Sequence, residues 1–130
     1  MVPAIALGGM LGASGRYALE LAWAHPDGSV PWATMLTNAS GCLLIGVLMV
    51  YVVEAGPGAG RHRLVRPFLG VGVLGGYTTF STYAVQTDAL LARGRPLLAL
   101  GYLLGTLLAA LLAVVLGVTV ARTLVRGRQP

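Results

Sequence analysis

The chain has 130 residues, of which 56% are hydrophobic and only 10% are charged, and its formal net charge is +5. Soluble domains carry about 25% charged residues, so this composition excludes an ordinary soluble domain and predicts a membrane protein. All of the positive charge comes from arginine, and most of the arginines flank apolar segments, as loop charges of membrane proteins do, which argues against a nucleic-acid partner.

Four apolar segments are long enough to cross a bilayer, which needs about 20 residues. They run over about Pro3–Trp23, Trp32–Val53, Pro67–Leu91 and Leu97–Val120. Little of the chain remains for a soluble domain, so the sequence predicts a single all-α, four-helix transmembrane domain over residues 1–130. A domain of this size has little room for a pore within one subunit, so we expect an oligomer.

The first segment holds Gly8 and Gly12, two small residues four positions apart, which allow another helix to approach closely. Arg16 and Glu20 follow with the same spacing, which favours an ion pair along one face of the helix. Both charges lie near the end of the segment, so the simplest interpretation of Glu20 is pairing rather than proton transport.

The second segment carries Asn38 near its middle. A polar side chain at this depth in a membrane is costly unless something pairs with it. Two interpretations stay open from the residues alone. Asn38 either joins helices by hydrogen bonds, together with Ser40 and Gly41, or it supplies a donor to the wall of a pore.

Loop charges predict the orientation of the chain, because cytoplasmic loops carry an excess of basic residues. The arginines after the second segment and in the tail lie on one side of the membrane. They are Arg61, Arg63, Arg66, Arg122, Arg126 and Arg128. The other side receives Arg93 and Arg95, together with Asp27. This bias predicts that both termini are cytoplasmic.

The Gly- and Pro-rich run 55–60 predicts a flexible connector.

The third segment contains the run Gly75-Gly76-Tyr77-Thr78-Thr79-Phe80-Ser81-Thr82-Tyr83. Adjacent glycines followed by hydroxyl residues predict that this membrane helix is broken midway. Such breaks are tolerated only where protein or a water-filled cavity covers them, and they often mark ion sites. Freed carbonyls around Gly75–Thr78 can replace the hydration shell of a cation. The rings of Phe80 and Tyr83 share a helix face, and their positive edges can contact an anion.

The fourth segment combines a stripe of small residues with two hydroxyl side chains. The stripe consists of Gly101, Gly105, Ala109, Ala113 and Gly117, and its spacing of four predicts close helix packing. Tyr102 and Thr106 lie on the adjoining face. They are either ordinary satisfied hydroxyls or one polar wall of a path. The sequence shows no Ser-His-Asp set and no pair of carboxylates, so we do not expect an enzyme.

Four motifs resemble the Fluc/CrcB family of fluoride channels. Gly75-Gly76-x-Thr78-Thr79-Phe80-Ser81-Thr82 resembles the signature of the family's third helix. Three other patterns agree in order and spacing: Gly8-Gly9-x-x-Gly12-Ala13-x-x-Arg16-Tyr17, Thr34-x-x-x-Asn38-x-x-Gly41 and Tyr102-x-x-x-Thr106. The resemblance covers essentially the whole chain, and the third-helix motif is the specific one.

The resemblance implies a multi-pass channel of the inner (plasma) membrane that exports cytoplasmic fluoride passively and protects against its toxicity. It implies an antiparallel dimer of four-helix subunits, with the third helix broken at its centre. It also implies a structural sodium ion at the dimer centre, held by main-chain oxygens of Gly75 and Thr78. The partner is a second copy of the chain or a related, oppositely oriented subunit.

The resemblance further implies which residues line the fluoride path. They are Asn38, Phe80, Tyr83, Thr82, Tyr102, Thr106 and Arg16. The two rings at 80 and 83 would form an aromatic box, Asn38 would supply an amide, the three hydroxyls would form a polar track, and Arg16 would lie near a vestibule. Tyr83 departs from the family pattern, because the second ring is usually Phe, and its hydroxyl would narrow or redirect the path.

Two other functions compete with the channel. A small multidrug or guanidinium exporter would use Glu20 as a membrane-embedded carboxylate for proton coupling. A non-conducting membrane subunit of a heteromeric complex would only assemble with a partner. The fluoride channel is the function that the residues and the resemblance jointly favour.

Overall fold

The computed structural model describes residues 1–54 and 62–127, and within these residues the chain forms helices and no strand. The helices are α1 (Val2–Ala22), α2 (Trp32–Glu54), α3 (His62–Val65), a π-helix (Arg66–Leu74), α4 (Gly75–Tyr77), α5 (Ser81–Ala92) and α6 (Pro96–Arg126). The prediction of an all-α fold is confirmed. The predicted connector at 55–60, Arg61 and Arg128 lie outside the described residues.

Two of the helices have the length and composition of membrane spans. They are α2, over Trp32–Val53, and α6. Only 22% of the most apolar window of α2 and 11% of that of α6 is buried, so most residues of these windows are exposed or partly exposed. That exposure suits a hydrocarbon surrounding and not the core of a soluble domain. The membrane crossing of all four predicted spans remains a prediction.

The helices pack as two close pairs, and glycines permit both contacts. In the first pair, α1 lies against the π-helix and α4, and a Cβ on Gly12 would collide with the backbone of Val73. In the second pair, α2 lies against α6, and a Cβ on Gly117 would collide with the backbone of Leu43. The small-residue stripe of α6 thus reaches tight contact at Gly117, whereas Gly101 at its other end has open space around it.

The third predicted span is interrupted, as its sequence indicates. A helical run from α3 through the π-helix and α4 ends at Tyr77, and α5 begins at Ser81. We call residues 62–92 the interrupted segment and the three non-helical residues Thr78–Phe80 the helix break. The adjacent glycines at 75 and 76 are themselves helical, and the helix ends one residue after them, at Tyr77. The segment begins earlier than the predicted Pro67, because its first turns are helical from His62.

The charges near the ends of the helices differ from the predicted loop pattern in one respect. Arg63 lies in α3 and Arg66 begins the π-helix, so these two arginines belong to helical turns rather than to a loop. At the other end of the molecule, Arg93 Nη2 pairs with Asp27 Oδ2 at 2.9 Å. Arg95 also donates to the carbonyl of Gly28, at 2.8 Å. These contacts join the α1–α2 loop to the α5–α6 loop.

Candidate functional site

The helix break begins at Thr78, whose backbone turns to an extended conformation with φ −79° and ψ 154°. Its amide and its hydroxyl both donate to the carbonyl of Leu74, at 3.0 Å and 2.9 Å. The main chain and the side chain of Thr78 therefore both bond to the last turn of the helix. One residue later the helical hydrogen-bond pattern stops.

Asn38 of α2 replaces the missing helical partners of Thr79. The amide of Thr79 donates to Asn38 Oδ1 at 2.8 Å, and Asn38 Nδ2 donates to the carbonyl of Thr79 at 2.9 Å. In a continuous helix the same amide would donate to the carbonyl of Gly75, so this pairing takes away that carbonyl's helical donor. Asn38 thus pairs α2 with the helix break of the third segment. The side-chain amide has a second N–H, which leaves a donor for the wall of a pore.

Thr79 also starts the second half of the interrupted segment. Its hydroxyl oxygen accepts from the amide of Thr82 at 3.1 Å, as a side chain at a helix N-terminus does. The same hydroxyl donates to Thr82 Oγ1 at 3.1 Å. The predicted site residue Thr82, in the first turn of α5, is thus hydrogen-bonded to Thr79 of the helix break.

Three aromatic rings form a row beside the helix break. The ring centroids of Phe80 and Tyr83 are 5.9 Å apart and those of Tyr83 and Tyr102 are 5.3 Å apart, each pair tilted by 58°. Phe80 is 79% exposed, whereas Tyr102 is 1% exposed. Tilted pairs turn a ring edge toward the face of the next ring. The row therefore extends from the surface of the chain to its core.

The two hydroxyl residues predicted on α6 have different surroundings. Tyr102 donates to Gln86 Oε1 at 2.9 Å, so its hydroxyl is an ordinary satisfied one. Thr106 is 4% exposed, and its Oγ1 has no hydrogen-bond partner. A buried polar atom without a partner is rare and calls for an explanation.

A cavity of about 360 Å³ lies between α2, the interrupted segment and α6. Its walls include six of the residues predicted for the ion paths, namely Asn38, Phe80, Tyr83, Thr106, Gly75 and Thr78. None of the described residues that line it carries a formal charge. The cavity thus brings together Asn38, Thr106, two aromatic residues and the residues of the helix break.

Three of the predicted site residues do not line this cavity: Thr82, Tyr102 and Arg16. Arg16 lies on the other side of the interrupted segment, where Nη1 pairs with Glu20 Oε1 at 3.2 Å and Nε donates to the carbonyl of Gly76 at 3.4 Å. The predicted i,i+4 ion pair is confirmed. A positive side chain near the last carbonyls of α4 also complements the helix dipole.

Sequence reasoning missed two residues of the site. Cys42 lines the cavity one helical turn after Asn38, and Gln86 holds the hydroxyl of Tyr102. Both could have been found from helix spacing, since Cys42 follows Asn38 by four positions and Gln86 follows Tyr83 by three.

Similarity to known proteins agrees with this geometry. Residues 3–118 match the family described as CrcB-like protein, Camphor Resistance (CrcB). A Streptomyces coelicolor protein named fluoride-specific ion channel FluC 1 is 53% identical over 129 residues, which cover 99% of this chain and 82% of that protein.

Two further relatives carry similar names. Fluoride-specific ion channel FluC 2 of Nocardia farcinica is 58% identical over 100 residues, or 77% of this chain and 69% of the relative. Fluoride-specific ion channel FluC of Paracoccus denitrificans is 41% identical over 100 residues, covering 77% of each chain. Because the family match spans residues 3–118, which are most of the sequence, the chain belongs to the CrcB-like family.

Proposed function

We propose that the chain is a fluoride-selective ion channel that lets cytoplasmic fluoride leave the cell passively and so protects against its toxicity. The three relatives described above, which are named as fluoride-specific channels, match 77% to 99% of the chain. The observation on this chain that carries the proposal is an uncharged cavity whose wall includes Thr106, a residue with a buried and unpaired hydroxyl.

The cavity offers the contacts that a small anion needs. The O–H of Thr106 and the second N–H of Asn38 are donors that can replace water, and the rings of Phe80 and Tyr83 present positive edges. No formal charge lies among these groups. Conduction requires binding that is strong enough for entry and weak enough for exit, and a set of neutral donors meets both conditions.

Fluoride efflux from proteoliposomes tests this function, with chloride efflux as the control. We expect the reconstituted chain to release fluoride and to retain chloride. Equal release of both ions, or release of neither, would contradict the proposed function.

Thr106→Val should both stabilise the protein and lower the rate of fluoride efflux. Valine has nearly the same shape and removes a buried, unpaired hydroxyl, which costs about 1–3 kcal/mol, so the unfolding temperature should rise. A hydrogen bond to a charged group contributes about 1.5–3 kcal/mol, so fluoride efflux should fall by about tenfold or more. Thermal unfolding and efflux rates measure the two effects.

Thr119→Val is the matched control. Thr119 lies on the same helix, but its hydroxyl donates to the carbonyls of Val115 and Leu116, each at 2.9 Å. It is exposed and lies outside the cavity lining. We expect this variant to keep the wild-type efflux rate. An unchanged efflux rate in Thr106→Val would show that the hydroxyl of Thr106 does not contact fluoride.

We further propose that four helices cross the inner membrane and that two subunits, oppositely oriented, build the channel. The partner is a second copy or a related subunit. The exposure of Phe80, at 79%, supports this assembly, because one chain alone leaves that ring uncovered beside the cavity. Arg16 would lie near a vestibule, and Thr82 and Tyr102 would border the path once both subunits are present.

A structural sodium ion at the dimer centre is part of the proposal. Gly75 and Thr78 both border the cavity. The carbonyl of Gly75 lacks its helical donor, and the extended backbone of Thr78 takes its carbonyl out of the helical direction. Unwound main-chain oxygens of this kind suit sodium. Within the described part of the chain no cluster of His, Cys, Asp or Glu offers a competing metal site. The bound ion would supply a fixed positive charge between the two breaks.

Removal of sodium should destabilise the assembled protein. A ligand present at 100 times its dissociation constant stabilises the folded state by about 2.7 kcal/mol. We therefore expect a lower unfolding temperature in N-methylglucamine or potassium than in sodium at equal ionic strength. The same unfolding temperature in all three salts would speak against sodium binding by Gly75 and Thr78.

Glu20→Gln should leave fluoride efflux within about twofold of the wild type, since its carboxylate pairs with Arg16 and i,i+4 helical pairs contribute only about 0.3–0.5 kcal/mol. The measurement is fluoride efflux, with guanidinium transport driven by a proton gradient as the second assay. Proton-driven transport that Glu20→Gln abolishes would favour the exporter instead.

A further inference from the structure

Four exposed arginines from two helical regions lie at one end of the molecule. They are Arg63, Arg66, Arg122 and Arg126. We call this group the arginine end. The first two belong to α3 and the start of the π-helix, and the other two belong to the last turns of α6.

Contacts with α2 show that both helical regions reach the same end. Gly70 of the π-helix lies beside Leu48, and Gly117 of α6 lies beside Val47. The π-helix runs antiparallel to α2, whereas α6 runs parallel to it, since Gly105 lies beside Met35. The start of the π-helix and the end of α6 therefore both lie beyond these contacts, toward the C-terminal end of α2.

The arginines of the two ends of the molecule differ in their partners. At the opposite end both arginines of the α5–α6 loop bind the α1–α2 loop. At the arginine end, Arg63, Arg66 and Arg126 have no hydrogen-bond or ion-pair partner among residues 1–54 and 62–127. Of the four acidic residues in the chain, Glu54 alone belongs to this end. These guanidinium groups are therefore free to pair with anions outside the chain.

We propose that the arginine end binds the phosphates of anionic phospholipids and enriches these lipids around the protein. The guanidinium fork matches the geometry of phosphate oxygens, and basic residues near a membrane surface are attracted to anionic lipids. The opposite end instead presents the exposed indoles of Trp23 and Trp32, which suit the membrane interface and carry no charge. The inference rests on the proposed membrane crossing and not on fluoride conduction.

Quenching of tryptophan fluorescence by brominated lipids tests this inference. The reporter protein is the full chain with Trp23→Phe, Trp32→Phe and Tyr51→Trp. Tyr51 is exposed and lies three residues before the end of α2, so the Tyr51→Trp reporter senses lipid at the arginine end. The vesicles mix phosphatidylglycerol with phosphatidylcholine, and either lipid is brominated in turn. We expect phosphatidylglycerol to bind about tenfold more tightly, or better.

Removal of the unpartnered arginines should remove the lipid preference. One basic residue near an anionic surface accounts for about a fivefold change in binding. Arg66→Gln should therefore lower the preference about fivefold, and Arg66→Gln combined with Arg126→Gln should make the two lipids bind almost equally. Both side chains are exposed, so we expect the unfolding temperature to stay at that of the reporter protein.

Arg95→Gln is the matched control, because it removes the same charge from the opposite end. We expect it to keep the preference of the reporter protein. An equal loss in Arg95→Gln and Arg66→Gln would show that net charge alone attracts the lipid, and an undiminished preference in the double variant would overturn the inference directly. Displacement of the lipid by excess inorganic phosphate would identify free phosphate as the ligand instead.

Fluoride efflux from the same vesicles keeps this inference separate from the proposed function. Vesicles that release fluoride without preferring phosphatidylglycerol would refute the lipid site alone. Vesicles that show the lipid preference and release no fluoride would refute the channel alone.

Discussion

Replacement of Asn38 with alanine is expected to abolish fluoride efflux and to lower the stability of the folded chain. The side-chain amide is the partner of both the N–H and the C=O of Thr79. Alanine would leave two main-chain groups unpaired at membrane depth, where lipid offers no substitute. Each unpaired group costs about 1–3 kcal/mol. Asn38→Ala also removes the remaining N–H, which is a proposed contact of the anion.

Asn38→Asp separates the two effects. A carboxylate keeps an acceptor for the amide of Thr79, but it sets an oxygen against that residue's carbonyl and a negative charge beside the anion path. We expect the aspartate variant to be more stable than the alanine variant and equally unable to conduct. Efflux assays and thermal unfolding in detergent measure both properties.

Thr37→Val provides a control for Asn38 on the same helix. Its hydroxyl donates only to the carbonyl of Ala33 within α2, so its loss leaves the helix break intact. We expect near-normal stability and efflux. Wild-type efflux in Asn38→Ala would mean that the helix break does not need this side-chain amide.

Gly12→Ala is expected to prevent normal packing of α1 on the interrupted segment. The added Cβ would collide with the backbone oxygen of Val73 and would lie 2.7 Å from the amide nitrogen of Tyr77. Overpacking a tight site costs about 1–3 kcal/mol and occasionally more. Here the obstacle is backbone, which yields less than a flexible side chain. The variant should yield little monodisperse protein in size-exclusion chromatography.

Gly9→Ala is the same substitution on the same helix, three residues earlier. Apart from the adjoining backbone of α1 itself, no described atom lies within 4 Å of the Cβ it would add. Alanine also has a higher helix propensity than glycine, so this variant should fold at least as well as the wild type. Equal yields and unfolding temperatures for the two alanine variants would refute the role assigned to Gly12.

The sequence predicted the features that local patterns encode. Composition indicates an all-α chain, and glycines followed by hydroxyl residues indicate the break, because both depend on neighbouring residues alone. The spacing of Gly8 and Gly12 likewise predicts a close approach, and both are buried. No local pattern signals the π-helix Arg66–Leu74, since the same apolar, glycine-rich composition is compatible with an α-helix.

The tertiary partners in the site could not be predicted in the same way. Asn38 pairs with a residue 41 positions away, and Tyr83 bonds to a main-chain carbonyl 20 positions away, and neither spacing follows from helix periodicity. The unpaired hydroxyl of Thr106 depends on what α2 and the interrupted segment leave uncovered. Of the seven residues predicted along the fluoride path, four line the cavity of one chain, namely Asn38, Phe80, Tyr83 and Thr106.

The length of α6 has a consequence for how the chain sits in lipid. Its 31 residues extend over about 46 Å at 1.5 Å per residue, whereas the hydrocarbon layer is about 30 Å thick. Tilting relieves part of such a mismatch. The remainder would project from the bilayer, carrying Arg122 and Arg126 to the level of the phosphate head groups. The end of α6 would then set the position of the protein along the bilayer normal.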